Sequence, residues 1–218
     1  MAADQALSTK QRGIIPIAAF TANGDLDRLK TALQEGLVAG LTVNEIKEIL
    51  VHLYAYAGFP RSLNGINIFM AVLEERQGQG IEDEIGPEAN PLPADMDKDE
   101  YGAKVRARLA GWETIPPPSG YQLFAPAIDT FLKEHLFADI FARDILDWQS
   151  RELATVSALA GMTGTAGQLW FHLGAAMNTG LTAAQMKDFI SVLESKVGKK
   201  EAEGASEVLG QALSARAQ

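Results

Sequence analysis

The 218 residues include no cysteine. Disulfides, thiolate metal sites and thiol redox chemistry are therefore excluded. Histidine is almost as scarce: His52, His135 and His172 are scattered too widely for their spacing to describe a metal site. Basic residues are outnumbered, 19 Lys and Arg against 28 Asp and Glu, giving a formal net charge of −9. A chain of that sign has no general attraction for phosphate backbones or anionic lipid, so neither nucleic acid nor a membrane surface is an expected partner. No apolar run approaches the length of a membrane span, and no charged-then-apolar leader opens the chain. The expectation is a cytoplasmic protein. The alternative is a periplasmic one behind a cleaved leader, with Ala2-Ala3-Asp4-Gln5 as the mature start. Neither an HExxH zinc motif nor a Walker-type phosphate loop occurs, and Gly161, Gly164 and Gly167 follow no strand pattern.

What the chain does have is an internal repeat. Ala39-Gly40-Leu41-Thr42-Val43-Asn44-Glu45-Ile46-Lys47 returns as Thr179-Gly180-Leu181-Thr182-Ala183-Ala184-Gln185-Met186-Lys187, at a constant offset of 140 positions. Upstream, Ser8 and Arg12 match Asp147 and Arg151 at an offset of 139, so one residue separates the two registers. Such self-similarity marks a duplicated structural unit. The copies have decayed in complementary ways. The second keeps Arg151-Glu152 and His172 where the first has Arg12-Gly13 and Ala32. The first keeps His52-Leu53-Tyr54-Ala55-Tyr56-Ala57-Gly58-Phe59-Pro60-Arg61 where the second has Val192 to Lys199 and beyond. Neither half looks self-sufficient.

Both copies read as helices. Ser8-Thr9-Lys10-Gln11 and Thr42-Val43-Asn44-Glu45 are capping-box patterns, and Asn23-Gly24-Asp25 and Gly40 supply stops. Between them Leu26, Leu29, Leu33 and Leu37 recur at helical spacing, as do Ile46, Ile49, Leu50 and Leu53 further on. Gly58-Phe59-Pro60 is expected to break the third helix before it resumes at Leu63. The second copy follows the same plan from Asp147, with Thr182 to Gln185 as its cap. Residues 77–100 are rich in Gly, Pro and acidic side chains and read as a surface connector. An amphipathic helix over Glu100 to Ala110, the break Pro116-Pro117-Pro118, and a further helix over Ala127 to Phe141 complete the reading. The fold class is all-α, with a first repeat at 1–76, a connector at 77–123 and a second repeat at 124–218.

The Gly-Leu-Thr turn followed by the Tyr-Ala-Gly-Phe-Pro segment, 56–60, resembles the carboxymuconolactone decarboxylase family. So does the second copy, through Arg151-Glu152-Leu153 and the segment from His172 to Gly180. The resemblance implies two fused helical repeats of the alkyl hydroperoxidase D-like fold, a trimeric or hexameric homo-oligomer, and a role in breaking down aromatic compounds. In the family's peroxidase branch a Cys-x-x-Cys pair precedes the histidine. Those positions fall here on Thr165 and Gln168, whose hydroxyl and amide cannot act as a peroxidatic thiolate. A thiol peroxidase is thereby set aside.

What the resemblance implies instead is a cofactor-independent lyase acting on a small carboxylated lactone or a related acid. That reaction needs neither a metal nor an organic cofactor. It needs a donor aimed at a developing oxyanion and a group that moves a proton, and Glu152 and His172 are the candidates. Arg151, Arg61 and Arg12 are candidates for holding substrate carboxylates. Thr165, Gln168, His52 and Tyr56 are further candidates for lining the site, although His52 and Tyr56, one helical turn apart, suit a simple packing pair better than catalysis. The alternative function is a non-catalytic oligomeric scaffold of the same fold. The two diverge on whether Glu152 and His172 share a pocket open to water.

Overall fold

The structure, a computed structural model, describes residues 6–217; the Ala2 to Gln5 segment lies outside them. The first copy comprises α1 (Thr9–Asn23), α2 (Leu26–Val38) and the long α3 (Val43–Gly78). The connector carries α4 (Lys98–Ala110) and the short α5 (Tyr121–Phe124), and α6 (Pro126–Thr130), which runs into a π-helical segment, Phe131–Ile140, leads into the second copy. The second copy comprises α7 (Trp148–Gly161), α8 (Ala166–Asn178), α9 (Ala183–Val192), a π-helical turn at Leu193–Val197, and α10 (Lys199–Arg216). Among the described residues there is no strand, and no helix is long and apolar enough to cross a membrane.

The starts of these helices follow from side chains that satisfy otherwise unpaired N–H groups. Ser8 and Thr42 close reciprocal capping boxes with Gln11 and Glu45, and Thr182 does so with Gln185. Asp147 accepts from the Ser150 amide at the head of α7. At the head of α3 the connector assists: Val43 and Asn44 donate their amides to the carbonyls of Glu84 and Ile85, at 2.9 Å each. The acidic stretch is thus laid along a helix start rather than hanging free.

Two expectations change in detail. Gly58-Phe59-Pro60 kinks α3 instead of ending it. Gly58 takes φ 81°, ψ 161°, and the helix resumes at once because Pro60 falls in the first turn of the new segment, where a missing N–H costs no bond. The equivalent residue of the second copy, Gly198, is extended and separates α9 and its π-helical turn from α10, so the duplication preserves this bend. The single helix expected over Ala127 to Phe141 begins as α6 and is π-helical from Phe131.

The core is shared between the copies. α1 and α7 lie against each other, and Ile14, Ile15, Ile17, Ala18, Leu153, Ala154, Val156 and Ala158 are all buried in one cluster with side chains of α2, α3, α8, α9 and α10. A smaller second cluster joins Val105 and Leu109 of α4 to Leu136, Phe137, Ile140 and Phe141, and to Ala175 of α8. Gly102 makes that approach possible, since a Cβ there would stand 1.9 Å from the Lys133 carbonyl oxygen. The connector helix is therefore docked onto the second copy.

Candidate functional site

α7 brings Glu152 into the protein interior one turn beyond its Asp147 cap, and its side chain is fully buried. α8 turns Leu169, His172, Leu173 and Ala176 inward, at three- and four-residue spacing. The two helices place His172 Nδ1 2.8 Å from Glu152 Oε2. An ionised carboxylate only accepts, so the ring donates through Nδ1–H and keeps Nε2 for other use. His172 reaches the surface of a cavity of about 860 Å³. Tyr56 and Phe171 stand edge-on to its ring, at centroid distances of 5.4 and 5.1 Å.

The cavity is mostly apolar and is built by three parts of the chain. α8 and the loop before it give Thr165, Gln168, Phe171 and His172, α3 gives Ala55 and Tyr56, and the connector with the π-helical segment gives Arg106, Trp112, Tyr121, Leu136 and Phe137. Of the residues expected at the site from sequence, His172, Tyr56, Thr165 and Gln168 line this cavity, and Glu152 stands directly behind His172. Thr165 spends its hydroxyl on the Leu159 carbonyl, at 2.8 Å. The structure does not bring Arg151, His52 or Arg61 to the wall. Arg61 lies beyond the Gly58 kink, against Gly24. Arg106, Trp112 and Phe137 were not anticipated. Arg106 follows helical spacing that any exposed arginine of an amphipathic helix would share, and only the docking of α4 gives it a role.

Behind the cavity lies a buried polar layer. Arg151 donates through Nη2 to Glu48 Oε1 (2.7 Å) and to the Arg143 carbonyl (2.6 Å), while Arg143 grips the same Glu48 from the surface side at 3.0 Å. Burial pulls the Arg151 pKa down, and Glu48 opposes that pull. Arg151 is thus engaged by protein and not offered to a substrate. Thr155 donates to the Arg151 carbonyl, so its oxygen accepts from His52 Nε2–H at 2.8 Å. His52 is a packing residue against Tyr56 and Phe141, with ring distances of 5.2 and 5.7 Å.

Burial holds the His52 pKa well below its ordinary 6.5, and the Arg151 and His172 charges add to this. The unfolded chain then binds a proton that the folded one refuses as pH drops below 6.5, so His52's contribution is complete above that value and is lost below it. The unfolding free energy is expected to fall by up to about 1.4 kcal/mol per pH unit in that window, and His52→Gln should flatten the slope. Urea unfolding on either side of pH 6.5 measures it; an identical slope in the variant would refute the assignment.

The complementary decay of the copies now has a geometric reason. The Arg151–Glu48 pair joins the first helix of one copy to the third helix of the other. Its counterpart is the pair Arg12–Asp188, in which Arg12 Nε also donates to Asp188 Oδ2 at 3.2 Å. Each site of a duplicated chain is therefore assembled across the copies. One takes Glu152 and His172 from the second copy and Tyr56 from the first, with His52 packed behind Tyr56. The other has Gly13, Ala32, Val192 and Lys196 at the equivalent positions. Of these, Gly13, Val192 and Lys196 line a smaller cavity of about 430 Å³, and Ala32 lines a hollow beside it. That counterpart has neither the carboxylate nor the imidazole.

Comparison with known proteins agrees with this architecture. No curated protein matches the chain. Two segments, residues 1–70 and 126–211, match the model of the carboxymuconolactone decarboxylase family, and the stretch between them is the one that carries α4 and Arg106. With well over half of its length matched, in two segments that are the two helical copies, the chain belongs to the carboxymuconolactone decarboxylase family.

Proposed function

We propose that the chain is a cofactor-independent lyase that decarboxylates a small carboxylated lactone or a related unsaturated acid. One observation carries this reading: a buried carboxylate holds an imidazole by one nitrogen at the wall of a large apolar cavity. In the proposed reaction the carbon–carbon bond to the departing carboxylate breaks and CO2 leaves. Its electron pair passes into the conjugated lactone carbonyl as a dienolate. His172, as imidazolium, donates from Nε2 toward the dienolate oxygen and then returns its proton to carbon, and solvent reprotonates the ring. Glu152 fixes the tautomer and stabilises the cationic ring, the role a buried carboxylate plays behind a general acid or base. The apolar walls lower the local dielectric, which favours spreading the carboxylate's charge over the dienolate and strengthens the donor.

The Arg151–Glu48 pair is sealed from the cavity, whereas the Glu152–His172 pair reaches its wall, and that difference favours turnover over a scaffold. Burying a carboxylate costs several kcal/mol before its partner repays it, and apolar residues of similar volume would pack as well or better. The test is to incubate the purified chain with a γ-carboxylated butenolide and follow CO2 release together with the loss of substrate absorbance. Stoichiometric CO2 is expected. Absence of CO2 release with a panel of such lactones, under conditions in which they bind, would sink the proposal.

A further inference from the structure

We infer that Arg106, on the helix inserted between the two family segments, is the anion anchor of this cavity and selects ligands that carry a carboxylate the reaction leaves in place. The inference rests on the cavity described above and deepens the proposed function.

Apart from His172, Arg106 is the one ionisable cation on the cavity wall among the described residues, and it stands among Trp112, Ile128, Leu136 and Phe137. A charge in an apolar wall is weakly screened, so it attracts an opposite charge more strongly than a surface lysine would. Its position is built. Arg106 Nη1 donates to Asp129 Oδ1 at 2.7 Å, both side chains are largely buried, and the guanidinium lies 5.6 Å from the Trp112 ring centroid. Asp129 is itself held, by Gln122 Nε2 on the same oxygen at 3.0 Å and by Lys133 Nζ, 3.8 Å from the other. Lys133 also reaches Asp99, on the solvent side, at 2.5 Å. Asp129 therefore pins the guanidinium through a single N–H and leaves the rest of its fork free of it. Among the described residues Arg106 makes this one hydrogen bond, so its remaining N–H groups have no protein partner. A planar fork of that kind matches the two oxygens of a carboxylate bidentately.

Reaction electrostatics decide which carboxylate it holds. Decarboxylation drains negative charge from the departing group, so a cation on that group would stabilise the ground state more than the transition state. Arg106 therefore serves a carboxylate that remains, and the departing one lies toward the apolar wall and His172. Because α4 lies outside the matched family segments, this selectivity belongs to the insertion.

Binding tests the inference without requiring turnover. Phenylacetate and phenylacetamide differ in charge but scarcely in shape, and each is titrated calorimetrically into the intact chain. The native chain is expected to prefer the carboxylate by about tenfold or more, the usual worth of a charge-assisted pair. Arg106→Gln should bring the two probes within about twofold of each other, and Arg106→Lys should keep part of the preference. The double variant Arg106→Gln/Asp129→Asn should behave like Arg106→Gln, because it leaves no stranded carboxylate and keeps the fold's volume. Lys104→Gln removes an equal charge from an exposed ion pair with Glu100 on the same helix and should leave the preference unchanged. Failure of phenylacetate to bind the native chain, absence of a preference, or a preference that survives Arg106→Gln in the folded variants would each overturn the inference. Since the readout is affinity, a chain that binds selectively yet releases no CO2 would count against the lyase and leave the anchor standing.

Discussion

Glu152→Gln is expected to lower turnover by about a hundredfold or more while leaving the fold intact, and His172→Ala to lower it at least as far. The glutamine keeps an oxygen that accepts from Nδ1–H, so the ring stays in place, but the negative charge behind it is gone. The variant thereby separates charge from position. His172→Ala removes the only hydrogen-bond partner of Glu152 among the described residues and leaves a buried carboxylate unpaired, which costs stability as well as chemistry. His172→Asn is the better companion, since its amide still donates to Glu152 but cannot shuttle a proton near neutral pH. His52→Ala is the internal control. Its ring is sealed behind the wall and bonded to Thr155, so turnover should change only a few-fold once folded protein is compared with folded protein. Steady-state rates of CO2 release, measured with circular dichroism on each variant, decide the matter. If Glu152→Gln and His172→Asn both stay within a few-fold of the native rate, the pair is structural.

Arg151→Met should destabilise the protein by about 3–5 kcal/mol, although it touches no part of the cavity wall. Arg151 and Glu48 are both essentially sealed from water, and Arg143, the other partner of Glu48, approaches from the surface with 39% of its side chain exposed. Removing Arg151 leaves a buried carboxylate with one partly solvated cation. Glu48→Gln strands the guanidinium instead, and should cost a similar amount. The double change Glu48→Leu/Arg151→Met removes both charges and is expected to recover most of the loss, because a matched apolar pair avoids the desolvation that the ion pair only repays. Denaturant midpoints at one protein concentration give all three values. A double variant as unstable as the worse single one would show that the pair itself, not the unpaired charge, stabilises the fold. The exposed counterpart Arg12–Asp188 offers the contrast: Arg12→Ala should cost about 1 kcal/mol or less.

Much of the fold was legible because local rules write it. Ser8, Thr42, Asp147 and Thr182 each sit where a helix begins, since a short polar side chain before an apolar stripe satisfies amides that the helix cannot. Gly40 and Gly180 sit where helices end, and their φ angles of 92° and 110° are ones that a side chain would resist. The bend at Gly58 was legible as a break but not as a kink, because continuation depends on what the resumed segment packs against. Glu152 and His172 were recognisable through family resemblance, not through any periodicity that distinguishes a proton-moving histidine from a core one.

The sequence by itself determined the helices, their caps, the duplication and the absence of thiol chemistry, since each depends on residues close together in the chain or on composition alone. Tertiary structure decided which side chains share a site. Arg151 and Glu152 are neighbours in sequence, yet one is spent on Glu48 and the other on His172, because successive residues of a helix point about 100° apart and meet different partners. Tyr56 reaches the site of the other copy, with His52 packed behind it, because α3 crosses to α7. Arg106 enters from a segment that reads as a connector because Gly102 lets α4 seat against Lys133. These are contacts across 20 to 103 residues of chain, set by how helices pack, and no local pattern encodes them.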